Sequence, residues 1–119
     1  MTILVVDDSS VMRKIVIRSL RQAGFGQHEV DQAEDGLEGL EKARTATPSV
    51  ILSDWNMPNM NGLEFLKALR AESIETPFGF VTSESTAEQK AQAMAAGANF
   101  LLSKPFTSDD LELQLSPFL

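Results

Sequence analysis

The chain has no cysteine. Disulfides and thiolate metal ligands are therefore excluded, and a reducing compartment, the cytoplasm, is the natural expectation. No apolar run approaches the ~20 residues that a membrane helix needs, and the N-terminus runs straight into a strand-like segment with no signal-peptide pattern. Membrane insertion is not expected. Basic residues are also scarce, 10 Lys and Arg against 17 Asp and Glu for a net charge of −7, which argues against nonspecific nucleic-acid binding. Arg13, Lys14, Arg18 and Arg21 gather on the first predicted helix and read as its solvated face. Linkers, repeats and low-complexity tracts are missing too. Residues 1–119 are therefore expected to form one domain, long enough to bury a core of its own.

Four short apolar runs are present, and each ends on a residue of use in phosphoryl chemistry. Ile3-Leu4-Val5-Val6 leads into Asp7-Asp8, Val50-Ile51-Leu52-Ser53 into Asp54, Phe78-Gly79-Phe80-Val81 into Thr82, and Phe100-Leu101-Leu102-Ser103 into Lys104. A weaker strand is expected from His28 to Ala33.

Helical patterns fall between the strands. Ser9-Ser10 can cap a helix that carries Met12, Ile15, Val16, Ser19 and Leu20 at a 3.6 period and ends near Gly24. Gly36 to Ala46 reads as a second helix with Leu37 and Leu40 inward, and Leu63, Leu66 and Leu69 mark a third. Ala87, Ala91, Met94, Ala95 and Ala98 mark a fourth. Leu111, Leu113 and Leu115 alternate like a strand, but Thr107-Ser108-Asp109-Asp110 suits a helix start, and a short helix stopping near Ser116 before Pro117 is expected.

Five strands alternating with five helices predict an α/β fold, a doubly wound five-stranded parallel sheet of flavodoxin-like order 2-1-3-4-5. Its switch point lies between the first and third strands, which end in Asp7-Asp8 and Asp54. Crowded carboxylates repel unless a cation intervenes, and an oxygen-only ligand set open to water suits Mg²⁺, or Mn²⁺, rather than zinc. Asp8 and Asp54 are candidate direct ligands, with the Asn56 backbone carbonyl, and Asp7 is a candidate acting through water. An ionised Asp54 can attack phosphorus, while Lys104 balances charge on the equatorial oxygens and the Thr82 hydroxyl can bond the new group.

Taken one at a time, these residues have plainer readings. Asp7-Asp8 can be a strand exit and helix cap, Asp54 a turn residue, Thr82 a cap, and Lys104-Pro105 a surface turn. Their joint placement after four strand-like runs favours a shared site.

With these residues the chain resembles the receiver domain of two-component response regulators, in particular the single-domain, CheY-like chemotaxis type. The resemblance spans the whole length. It rests on Val5-Val6-Asp7-Asp8-Ser9, on the segment from Ser53-Asp54-Trp55-Asn56-Met57-Pro58 to Asn61-Gly62-Leu63-Glu64, on Val81-Thr82-Ser83-Glu84, and on Gly97-Ala98 with Lys104-Pro105-Phe106.

The resemblance implies that Asp54 is the phosphoacceptor, Asp7 and Asp8 the acidic pair holding Mg²⁺, Lys104 the phosphate-contacting lysine and Thr82 the switch hydroxyl. It implies a cis Lys104-Pro105 bond, and a rapid loss of the phosphoryl group modulated by Asn56 and Glu84. A histidine kinase or phosphotransfer protein is the implied donor, and a downstream target such as the flagellar motor switch the implied recipient. A monomer is expected, with phosphorylation-dependent dimerisation as the alternative. No output domain is expected to follow, and output is expected through noncovalent binding.

Two departures stand out. Leu101 occupies the position where the family often has an aromatic residue that turns inward with the threonine, and Phe100 lies one residue earlier. Pro117 interrupts the last helix, leaving Phe118-Leu119 either to cover the core edge or to form a docking patch. Readings of other classes are a phosphorylation-independent interaction module, a phosphate sink or relay, and an enzyme or flavin carrier on the same fold. Asp7-Asp8-Ser9-Ser10 would repel a flavin phosphate in the absence of metal. A phosphatase of the haloacid dehalogenase kind would separate its two aspartates by one residue, and here they are adjacent.

Overall fold

The computed structural model describes residues 2–83 and 85–119. The strands are β1 (Thr2–Val6), β2 (Glu29–Ala33), β3 (Val50–Ser53), β4 (Phe78–Thr82) and β5 (Phe100–Ser103). All neighbours pair in parallel, in the order β2-β1-β3-β4-β5, as the alternating pattern predicted. The helices between them are α1 (Ser10–Leu20), α2 (Gly36–Ala46), α3 (Gly62–Ala71), α4 (Ala87–Ala95) and α5 (Ser108–Leu115).

Side chains alternate across the sheet and build two cores. Ile3, Val5, Val50, Leu52, Val81, Phe100 and Leu102 meet Val16 and Leu20 of α1 and Leu111 and Leu115 of α5. Leu4, Val6, Ile51, Phe78 and Phe80 face the other way, onto Leu40, Phe65, Leu66, Leu69 and Ala93. Burial on both faces is why the central strands read as continuous apolar runs.

The helix starts follow local chemistry. Ser9, Asp35, Asn61, Thr86 and Thr107 each accept a backbone N–H of the first turn through their side chains. Past Leu20 the chain makes one wider π turn, Arg21–Phe25, which Gly24 breaks with φ 99°.

Several inward assignments need correction. Leu37 is 52% exposed, because α2 turns Gly36, Gly39, Leu40 and Ala43 to the core. A β-carbon on Gly39 would come 2.9 Å from the Phe65 ring, so this contact face is made by the absence of side chains. Ile15 is exposed, since the i, i+4 pair Val16 and Leu20 takes the centre of the α1 stripe. In α4 the expected stripe of Ala87, Ala91, Met94 and Ala95 faces outward, and only Ala93 is buried within the helix. A helix with alanine at so many positions gives almost no periodic signal.

Helix α5 ends as expected, with Ser116 as its cap. Leu113 is exposed whereas Leu111 and Leu115 are fully buried, which is a helical and not a strand pattern. Phe118 and Leu119 pack against the α1/α5 core, and the Phe118 ring stacks on Phe100 at 6.4 Å. At the sheet edge, the Lys42 amine donates to the main-chain oxygen of Gln32 in β2 and pairs with Asp31 at 3.2 Å.

Candidate functional site

The site lies where β1, β3, β4 and β5 end. Asp54 is seated by its own backbone: its N–H donates to Val6 O at 2.9 Å, extending the β1–β3 ladder by one rung. Its main-chain oxygen accepts from the Ser53 hydroxyl at 2.8 Å, and its Oδ1 accepts from the Trp55 N–H at 2.8 Å. Gly62 lets α3 begin against this turn. A β-carbon there would stand 2.1 Å from the Asp54 carbonyl oxygen.

Asp7 is buried and held from several directions. Its N–H donates to Ala33 O at 3.1 Å, and its Oδ1 accepts from the Ser9 N–H at 2.9 Å. Its Oδ2 lies 3.5 Å from Lys104 Nζ. Asp8, next along, is exposed. One carboxylate oxygen from each of Asp7, Asp8 and Asp54 lies within 4.8 Å of the others. The sequence placed these three together, and the structure brings them together.

Lys104 also pairs with Asp54 Oδ1 at 3.8 Å, so one ammonium serves two carboxylates. Its N–H donates to Thr82 O at 2.8 Å, which ties the ends of β4 and β5, and the Lys104–Pro105 peptide is cis. Thr82 is fully buried at the end of β4. Burial pushes the Asp54 carboxyl above its ordinary pKa; Lys104 opposes this, Asp7 adds to it, the Trp55 N–H opposes it and Asp8 adds to it. Burial, more than its acidic neighbours, thus disfavours the ionised form of Asp54.

Asn56 is exposed two residues beyond Asp54. Glu84 lies outside the described residues. Leu101 packs against the core of the α3 side, whereas Phe100 and Leu102 belong to the opposite core. Phe100 therefore cannot stand in for an aromatic ring at position 101. The sequence reading missed Arg13, which is half-buried rather than part of a solvated row and donates from Nη1 to Asp7 O at 2.6 Å. Nothing in the helix pattern marks it apart from Lys14 or Arg18.

The response regulator receiver domain family matches residues 3–116. The chain belongs to this family. As a receiver it is similar to chemotaxis protein CheY1 of Helicobacter pylori, 40% identical over 122 aligned positions covering 100% of this chain and 97% of that protein. It is also 40% identical to chemotaxis protein CheY-3 of Vibrio cholerae, over 97% of this chain and 88% of that one. Among solved structures, the Vibrio cholerae chemotaxis protein CheY4 superposes with a TM-score of 0.87 at 42% identity, covering 99% of this receiver and 98% of that chain. The receiver is thus a signalling protein of the chemotaxis response-regulator type. Among the described residues, no helix is long and apolar enough to cross a membrane.

Proposed function

We propose that residues 1–119 act as one receiver unit that is phosphorylated on Asp54 in a Mg²⁺-dependent reaction and changes a protein-binding surface in response. The observation that carries this reading is the cluster of Asp7, Asp8 and Asp54 oxygens within 4.8 Å, with Lys104 reaching two of the three residues.

The donor set fits a hard cation. It is all oxygen and partly exposed, and burial, with smaller contributions from Asp7 and Asp8, disfavours the charged form of Asp54. Asp7, Asp8 and Asp54, with the Asn56 carbonyl, are the proposed ligands. When bound, Mg²⁺ neutralises charge shared between the carboxylates and the incoming phosphoryl oxygens.

The protein's own groups do the rest. An Asp54 carboxylate oxygen attacks phosphorus of a phosphohistidine on a kinase or phosphotransfer partner. The new O–P bond forms as the N–P bond breaks, and the imidazole leaves. Lys104, already paired to Asp54, stays with the negative charge as it moves to the phosphoryl oxygens. Thr82 lies at the end of the adjacent strand, and its hydroxyl is the proposed partner for the phosphoryl group once formed. An apolar groove of Met12, Ile15, Pro105 and Phe106 borders Lys104 and gives a donor protein a surface to approach across. The proposed recipient is a target protein of the chemotaxis type, such as a flagellar switch component.

Trp55 follows Asp54, is nearly buried and packs on Phe80 at 4.7 Å, so its emission reports on the site. The test is a fluorescence titration with Mg²⁺ and then a small phosphodonor, with Asp54→Asn as control. A metal response followed by a donor response that the variant lacks is the expected result. A donor response that persists in Asp54→Asn would refute the assignment.

A further inference from the structure

Arg13 bonds the main chain of Asp7, one of the three clustered acids, yet among the described residues it makes no ion pair. Its guanidinium spans two neutral acceptors: Nη1 donates to the main-chain oxygen of Asp7 at 2.6 Å and Nε to Gln32 Oε1 at 2.9 Å. Gln32 sits on β2 in register with Val5, one pair before the rung where Asp7 follows β1. A planar fork of donors can hold two acceptors at fixed separation, which an ammonium cannot.

The oxygen that Arg13 holds belongs to the Asp7–Asp8 peptide. Because that group is planar, fixing its carbonyl also fixes the direction in which the chain enters Asp8. The Asp7 side chain has contacts of its own to Ser9 and Lys104. Asp8 is exposed, and among the described residues its carboxylate makes no hydrogen bond. One of its carboxylate oxygens nevertheless lies within 4.8 Å of oxygens of Asp7 and Asp54.

Building on the Mg²⁺ reading above, we propose that Arg13 is a positioning residue for the cation site: anchored on Gln32, it clamps the Asp7–Asp8 peptide so that Asp8 is in place before an ion arrives. Such preorganisation lowers the ordering cost of binding without adding a ligand.

Charge and position make opposite forecasts, which makes the idea testable. If Arg13 acts only as a nearby positive charge, removing it should tighten binding of a divalent cation. If it positions Asp8, removing it should weaken binding. The experiment is a Mg²⁺ titration of the metal-free protein, read by Trp55 emission, for the wild type, Arg13→Met, Arg13→Lys and Gln32→Ala.

The expected result is a Kd raised about tenfold in Arg13→Met, the scale of one charged hydrogen bond, with the saturated emission unchanged. Arg13→Lys, which keeps the charge and loses the fork, should also bind more weakly. Gln32→Ala, an exposed change that the sheet tolerates, should raise Kd by roughly two- to threefold. Amide exchange in the metal-free proteins supplies a second readout: Asp8 and Ser9 should exchange faster in the variants while β1 and β3 keep their protection. An unchanged or lower Kd in Arg13→Met overturns the proposal, and so does a uniform loss of protection. A wild type with no Mg²⁺ response would instead remove the metal site itself, and this inference with it.

Discussion

Phe100 lays its ring over Gly79, its register partner on the adjacent strand, so closely that a β-carbon on the glycine would stand 2.1 Å from the ring. The missing side chain at Gly79 thus admits an aromatic ring. That ring is pinned between Gly79 and Phe118, on the α1/α5 side of the sheet. Leu101 is thereby committed to the other side.

Gly79→Ala should consequently destabilise the fold by about 1–3 kcal/mol, the cost of overpacking a filled core. Phe100→Leu in the Gly79→Ala background should recover part of this loss, although Phe100→Leu alone is destabilising. Chemical denaturation of the four proteins gives the coupling. Additive effects would mean that the ring is not the obstacle.

Asp54 gives stability a pH dependence of defined sign when metal is absent. Its folded-state pKa is raised, chiefly by burial, so the folded protein keeps a proton that the unfolded chain has already lost. The stabilising contribution is present below the unfolded value of about 3.9 and is lost as pH rises through the folded value. In chelator, Asp54→Asn should be more stable than wild type at neutral pH, and the Asp54-dependent part of the slope should vanish. Thermal melts across that window decide the point.

Mg²⁺ should reverse the penalty. At a concentration about 100-fold above its Kd, binding to the folded state alone adds roughly 2.7 kcal/mol, enough to raise Tm by several degrees, and chelator should return it. Lys104→Met leaves Asp54 and Asp7 without their shared ammonium. The substitution should lower metal-free stability at neutral pH and slow phosphorylation by a small phosphodonor even at saturating Mg²⁺. Calorimetry and donor kinetics measure the two effects separately.

Asn56 and Glu84 stand at positions that resemble those of the fast-cycling chemotaxis type. The phosphorylated protein is expected to lose its phosphoryl group well within an hour in Mg²⁺ buffer. Release of inorganic phosphate checks this, and survival for many hours would contradict it.

The strands, their order and the acidic cluster were legible because they rest on coarse regularities. Apolar runs such as Val50–Leu52, alternating with helical patterns, suit a doubly covered sheet, and in the order 2-1-3-4-5 Asp7 and Asp54 follow adjacent strands. Other features rest on finer geometry. Gly39 carries no apolar signal although it forms the contact with Phe65, so Leu37 drew the helix face the wrong way. In α4, alanines on every side left the buried Ala93 indistinguishable from its neighbours. Arg13 depended on a partner 19 residues away, Gln32, that helix periodicity cannot reveal.

The Lys42 contact on β2 bears on how copies of the protein behave in concentrated solution. Ala33 O points inward to Asp7, so Gln32 O, one residue earlier, points to the open rim of the sheet, where the Lys42 amine occupies it. A second chain seeking to add a strand there would have to displace a charged amine from a carbonyl and from Asp31. Strand addition at this rim is thus opposed by the Lys42 amine, and exchanging Lys42 for an apolar residue would expose a template for aggregation.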